Sequence, residues 1–213
     1  MESFPELPAN FAAALKLIDE AHAEDPKTIP REDGTGTIPY ELHYARKMTR
    51  WLAKRCPDAS PALQLACRAQ HFRRWEIPRS TYPMTRAGYL SWRTKQKSVA
   101  ATQLTTLLSS SPSSSTIDPP LPAADLERIA ALVRKENLRA DAETQVLEDV
   151  ACLVFLDDQF DDFERKGDVD EAKVVDILRK TWAKMSPPGR ELALGMQGLS
   201  PRATELIGKA LAG

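Results

Sequence analysis

Apolar residues recur at intervals of three and four along most of the chain, which is the spacing of one helix face. Phe11, Ala14, Leu15, Ile18 and Ala21 form such a face over residues 11–23, with Asn10 as a cap. Residues 25–39 carry Pro26, Pro30, Gly34, Gly36 and Pro39 and read as loop. A second helix over 40–56 places Tyr44, Ala45, Met48, Trp51 and Leu52 on one arc. His43, Arg46, Lys47, Arg50 and Lys54 fall on the opposite arc, so His43 is expected to point outward. Ser60-Pro61 opens a third helix running to about Trp75, with Gln70 inside its apolar arc and His71 at the edge. Beyond Pro78 and Pro83 a long helix over 84–108 completes a hairpin whose tip is arginine-rich.

Ser109 to Pro122 is a low-complexity Ser/Pro-rich insert, expected to be exposed and unpacked. Helices follow over 123–135, 142–163, 169–185, 188–194 and 200–211. No segment alternates as a strand and none repeats, so the pattern predicts one all-α domain over 1–213 with seven or eight helices and a disordered 1–8. Within 144–156 the apolar residues cover nearly the whole circumference, which marks a central helix and encloses Glu148 and Asp149. A carboxylate so placed has to be paired, hydrogen-bonded, protonated or metal-bound. Two outcomes are open. Arg73, Arg74 or Arg79 answers it, or His71 joins the carboxylates on a divalent metal with Mg, Mn, Zn or Fe as candidates.

Charge sharpens this picture. The chain of 213 residues has a formal net charge of -1 and a pI near 6.3, which argues against a surface built wholly for nucleic acid. Yet Arg68 to Lys97 holds eight Lys/Arg residues and one acid, Glu76. Guanidinium groups of Arg73, Arg74, Arg79, Arg86 and Arg93 suit an anion, and the rings of Trp75, Tyr82 and Tyr89 suit a flat or apolar group. With Gln70, Glu76 and Lys180 they form the candidate ligand-binding set, and His71, Glu148 and Asp149 the candidate acid–base set. The acidic run Asp157, Asp158, Asp161, Asp162 and Glu164 lacks a calcium-loop glycine and reads as a solvated helix end, and His22 reads as a surface histidine. Cys56, Cys67 and Cys152 show no paired spacing, which points to a reducing compartment. The acidic start lacks a secretory pattern and no stretch has the length of a membrane span, so cytosol or nucleus is expected.

The runs HFRRWEIPRSTYPMTRAGYLSWR (71–93), LEDVACLVFL (147–156) and RKTWAKMS (179–186) resemble an uncharacterised domain-of-unknown-function family of small helical proteins. Some members carry a glutamyl-tRNA synthetase label, but the chain has no HIGH-type or Gly-rich nucleotide loop. More distantly, the order of segments resembles the HD superfamily of helical metal phosphohydrolases. That resemblance implies a metal held by His43, His71 and Asp149, with Gln70-His71 standing where a His-Asp pair belongs and the metal site therefore rearranged or lost. The resulting expectation is an HD-like domain that binds, and by metal-dependent chemistry hydrolyses, a small phosphorylated or nucleotide-like ligand. The rival is a non-catalytic helical module that binds RNA or a protein through the Arg68–Arg93 hairpin.

Overall fold

The computed structural model describes residues 4, 6–109, 117–165 and 170–212, the side chains of Asp162, Glu164 and Arg165 excepted. Ten α-helices occur among them: α1 (Ala9–His22), α2 (Tyr40–Arg55), α3 (Pro61–Arg68), α4 (Arg86–Ser109), α5 (Ala123–Arg134), α6 (Ala142–Val154), α7 (Phe160–Arg165), α8 (Glu171–Lys184), α9 (Pro187–Leu194) and α10 (Pro201–Leu211). The architecture is all-α in one domain, as the periodicity predicts, but with more helices. One of the additional helices arises because the run through 142–165 is interrupted by a π-helical turn, Phe155–Gln159, which sets α7 apart from α6. The loop after α1 also holds a short antiparallel ribbon, β1 (Thr28–Pro30) and β2 (Thr37–Pro39), with Ile29 opposite Ile38.

One apolar core draws on all ten α-helices, and its fully enclosed side chains include Ile18, Met48, Leu52, Leu63, Leu104, Leu132, Leu147, Leu153 and Phe160. The predicted arc of α2 is inside: Tyr44, Ala45, Met48, Trp51 and Leu52 are all buried. Helix starts are set by capping side chains. Ser60, Asp141, Asp170, Ser186 and Ser200 each accept a backbone N–H of the first turn, with proline just inside α3, α9 and α10.

Four expectations need correction. The third helix stops at Arg68 rather than near Trp75, because the Arg68 carbonyl that would receive the Phe72 N–H is instead bonded to His22 Nε2 at 2.9 Å, and Phe72 turns back to Ala69. His22 is accordingly buried, edge-on to Phe72, not a surface residue. His43 is buried too, since the π-helical turn swings Asp158 over the polar side of α2 and within 2.6 Å of its Nε2. The Ser/Pro segment ends in packed residues, for Ile117 and Leu121 sit in the core, while 110–116 lie outside the described residues, as do 1–3 and 5 of the expected disordered N-terminus.

Candidate functional site

The central carboxylates are side by side in sequence but lead different lives. Asp149 is sealed: Arg55 Nε at 2.8 Å, the Ser186 hydroxyl at 2.5 Å, the Ser186 N–H at 2.8 Å and Gln145 Nε2 at 3.0 Å all donate to it. Gly189 presses on the same group, where a Cβ would stand 2.7 Å from the carboxyl carbon. Asp149 therefore pins the start of α9 to α6 and α2. Its partner is Arg55, not the Arg73, Arg74 or Arg79 that the sequence suggests.

Glu148 faces a basin of positive charge. Lys135 Nζ lies 2.5 Å from it and Lys184 Nζ 3.8 Å, and despite burial these, with Arg93, hold its carboxyl below the usual range. Arg93 and Lys97, one turn apart on α4, form no ion pair among the described residues. Burial lowers the Lys97 ammonium, and Lys135, Arg93 and Lys184 add to that against the pull of Glu148, so the cations crowd one another. The charges of Arg74, Arg93 and Lys135 also act on His71. Burial first, then their charges, drive its pKa well below the ordinary value, so the ring is neutral at neutral pH. Two of the cations follow or occupy left-handed backbone positions that non-glycine residues avoid: Arg73, with φ 49°, delivers Arg74, and Lys135 itself has φ 58°. Each such position costs roughly 1–3 kcal/mol and clusters where side chains must be aimed.

His71 is framed on every side. Tyr44 stacks on it with ring centroids 3.8 Å apart, Arg74 Nη1 lies 2.8 Å from Nε2 and 3.5 Å from Nδ1, and Glu41 Oε2 stands 3.5 Å from Nδ1. Glu41 is buried; desolvation raises its carboxyl to about 8, against the pull of Arg74, and Oε2 has no hydrogen-bond partner. Its own N–H is held by Asp25. Gln70 is buried as expected, but its Oε1 lacks the hydrogen bond that burial calls for.

The remaining predicted residues divide cleanly. Arg68 spends its guanidinium on Asp19, and Arg73 on Glu24. Arg79 binds the carbonyls of Tyr82 and Pro83 and so holds the turn before α4. Glu76 accepts from Gln103, Trp75 and Tyr82 are half-buried, and Arg86 and Tyr89 are exposed. Arg74 lies over Trp92, 5.0 Å from its centroid, and Trp92 in turn donates to the Ile77 carbonyl. Lys180 is exposed on α8, paired to Asp176. Asp157 and Asp158 are not a solvated end: Asp157 receives Trp51 Nε1 at 3.1 Å and Lys47 at 3.2 Å, and Asp158 holds His43.

The residues that would hold a metal do not fit one. His43 is bonded to Asp158, His71 to Arg74, and the Asp149 oxygens to Arg55, Gln145 and Ser186, so each donor atom faces another partner. Among the described residues no three His, Cys, Asp or Glu side chains group as a metal site. The sequence reading missed Glu41, Lys97 and Lys135. Glu41 and Lys97 sit on helical faces whose partner faces only the packing reveals, and Lys135 carries no periodic signal because its direction comes from a left-handed backbone turn.

Among the described residues no helix is long and apolar enough to cross a membrane. No curated protein and no solved structure shows significant similarity to the chain. The runs around His71, Glu148 and Lys184 nevertheless fall within residues 12–207, the span matched by the profile of the family described as Domain of unknown function (DUF4202), and the chain belongs to that family.

Proposed function

We propose that the protein binds a small phosphorylated ligand in the basin formed by Arg74, Arg93, Lys97, Lys135 and Lys184, cations linked by their charges to His71 and Glu148. The observation that carries this reading is the pair Arg93 and Lys97. Half-buried cations that touch no carboxylate among the described residues, set beside further cations with Glu148 as the one opposing charge, cost the free protein stability, and an anion is the partner that relieves the repulsion. Arg74 and Arg93 supply forked donors suited to phosphate, and the lysines add point charges. The order of His43, Gln70-His71 and Asp149 supports the same ligand class through its resemblance to the HD phosphohydrolases. Acid–base chemistry at His71 is the route to hydrolysis that the side chains support, since His43, His71 and Asp149 are bonded to Asp158, Arg74 and Arg55.

Binding of RNA or a protein through the hairpin has a narrower base. Arg68, Arg73 and Arg79 serve the fold, and what remains outside is Arg86 with Met84 and Leu90, 80% and 55% exposed. Inorganic pyrophosphate, titrated while thermal unfolding is followed, separates the two. The basin predicts a stabilisation of about 2.7 kcal/mol at roughly a hundred times Kd, abolished in the Arg93→Ala/Lys97→Ala double variant. No shift with pyrophosphate sinks this reading, and a shift by oligoribonucleotide that depends on Arg86 instead favours the hairpin.

A further inference from the structure

The face that α4 turns to the core runs on past the end of the core. Arg86, Leu90, Arg93, Lys97, Ala100 and Leu104 follow one another at steps of three and four, so they form one line along the helix. Ala100 and Leu104 are buried, and α4 packs chiefly on α5. That helix ends at Arg134, and the charge of Lys135 just beyond it acts on Lys97. Past this point the line is open. Arg93 and Lys97 are half-buried, Arg86 is exposed and Leu90 is 55% exposed, with the neighbouring Tyr89 exposed as well. From Arg86 to Lys97 the open stretch is about 16 Å long by the helical rise per residue, more than one small anion covers.

The open end is built to hold its shape. Arg79 donates to the carbonyls of Tyr82 and Pro83 at 2.9 and 2.8 Å, and the Thr85 hydroxyl accepts the Gly88 N–H at 3.1 Å. Gly88 lies so close to the Pro83 carbonyl that a Cβ there would collide with it. Its charge is one-sided too. Between Glu76 and Asp118 the sequence holds five Lys/Arg residues and no acid, although the chain has 30 acids, so the complementary partner is acidic. The order along the line selects the kind of partner. A helix that lies on a lipid surface sends its cations and its apolar residues to opposite faces, whereas Leu90 stands between Arg86 and Arg93 on one line. An apolar anchor flanked by cations, in register with a helix–helix seam, fits a helix with an apolar stripe edged by carboxylates.

We propose that the open line of α4 docks an acidic amphipathic helix of a partner protein, which prolongs the seam that α5 begins. An apolar side chain of the partner packs on Leu90 and Tyr89, and its carboxylates pair with Arg86, Arg93 and Lys97. The seam carries this inference independently of the phosphate reading, although the two share Arg93 and Lys97, so pyrophosphate and the partner helix compete.

The probe is a fluorescein-labelled synthetic peptide of about three heptads with Leu at a and d and Glu at e and g, titrated with the full-length protein while anisotropy is followed. Saturable binding is expected, at least about tenfold tighter than that of a scrambled peptide of the same composition, and weaker as salt is raised. Leu90→Glu and Arg86→Glu should each weaken it by about tenfold or more, while Lys173→Glu on α8 leaves it unchanged. Both residues are exposed, so both variants should keep the wild-type urea midpoint, and if one fails to fold the other carries the comparison. No binding of the Glu peptide, equal binding of the scrambled one, or binding that survives Leu90→Glu overturns the proposal. Vesicles of phosphatidylcholine and phosphatidylserine that capture the protein through Leu90 and Arg86, with the peptide inert, overturn it in favour of a lipid surface. Neither substitution falls on a basin residue, so the pyrophosphate-induced thermal shift should persist in both variants. Its absence from the wild type, with peptide binding intact, removes the phosphate reading alone.

Discussion

Asp149 shows how far a single side chain can be read. Its enclosure was legible from the apolar circumference of residues 144–156, and so was the need for partners. Which partner answers was not legible, because Arg55 lies on α2 and meets Asp149 only through tertiary packing. Both members are nearly enclosed, so removing one charge strands the other. Asp149→Asn is expected to lose about 3–5 kcal/mol in denaturant unfolding, the usual cost of breaking a buried pair from one side. Arg55→Met should cost no less, and the double variant less than the sum of the two. A loss below about 1 kcal/mol for Asp149→Asn would show that the four donors around it hold little net free energy.

At the scale of elements, helix positions and faces followed from period, caps and prolines, whereas the turns between helices did not. The end of α3 is the instructive case. Nothing in the pattern of residues 61–75 marks Arg68 as the last helical position, because the signal is a histidine on another helix taking its carbonyl. The same contact ties α1 to α3, reinforced by Arg68 on Asp19. Burial lowers the His22 ring to about 4, with the Arg68 carbonyl and Asp19 opposing. The unfolded chain binds this proton below about 6.5 and the folded one does not. Stability from His22 is therefore complete above about 6.5 and falls as pH drops toward 4, by on the order of 3 kcal/mol at the lower end. Urea midpoints measured between pH 7 and 4 should trace that fall, and His22→Gln, which keeps a donor without a titrating ring, should flatten it. His71 adds a loss of the same sign, whereas Glu41, raised to about 8, loses stability as pH rises from about 4.5 to 8. An acid limb equally steep in His22→Gln would assign it to His71 or other groups.

Across the whole molecule a formal charge of -1 hides an uneven arrangement. Outside the basin the well-placed cations have carboxylate partners, among them Arg68 with Asp19, Arg128 with Asp141 and Glu143, Arg55 with Asp149, and Lys209 with Glu171 and Glu205. Inside the basin Glu148 pairs with Lys135 and Lys184, while Arg93 and Lys97 feel its charge but form no ion pair among the described residues. A fold selected for stability alone gains by neutralising one of them, so the repulsion that Lys135, Arg93 and Lys184 exert on the half-buried Lys97 marks function competing with stability. Lys97→Met tests this, because the variant keeps the side chain's length and apolar stem while removing the charge that Lys135, Arg93 and Lys184 oppose. The free variant should be more stable than wild type by about 0.5–2 kcal/mol in denaturant unfolding, and its stabilisation by pyrophosphate should shrink. The opposite sign, a free protein destabilised by losing this charge, would mean that Lys97 is already answered within the fold and that the basin is not waiting for an anion.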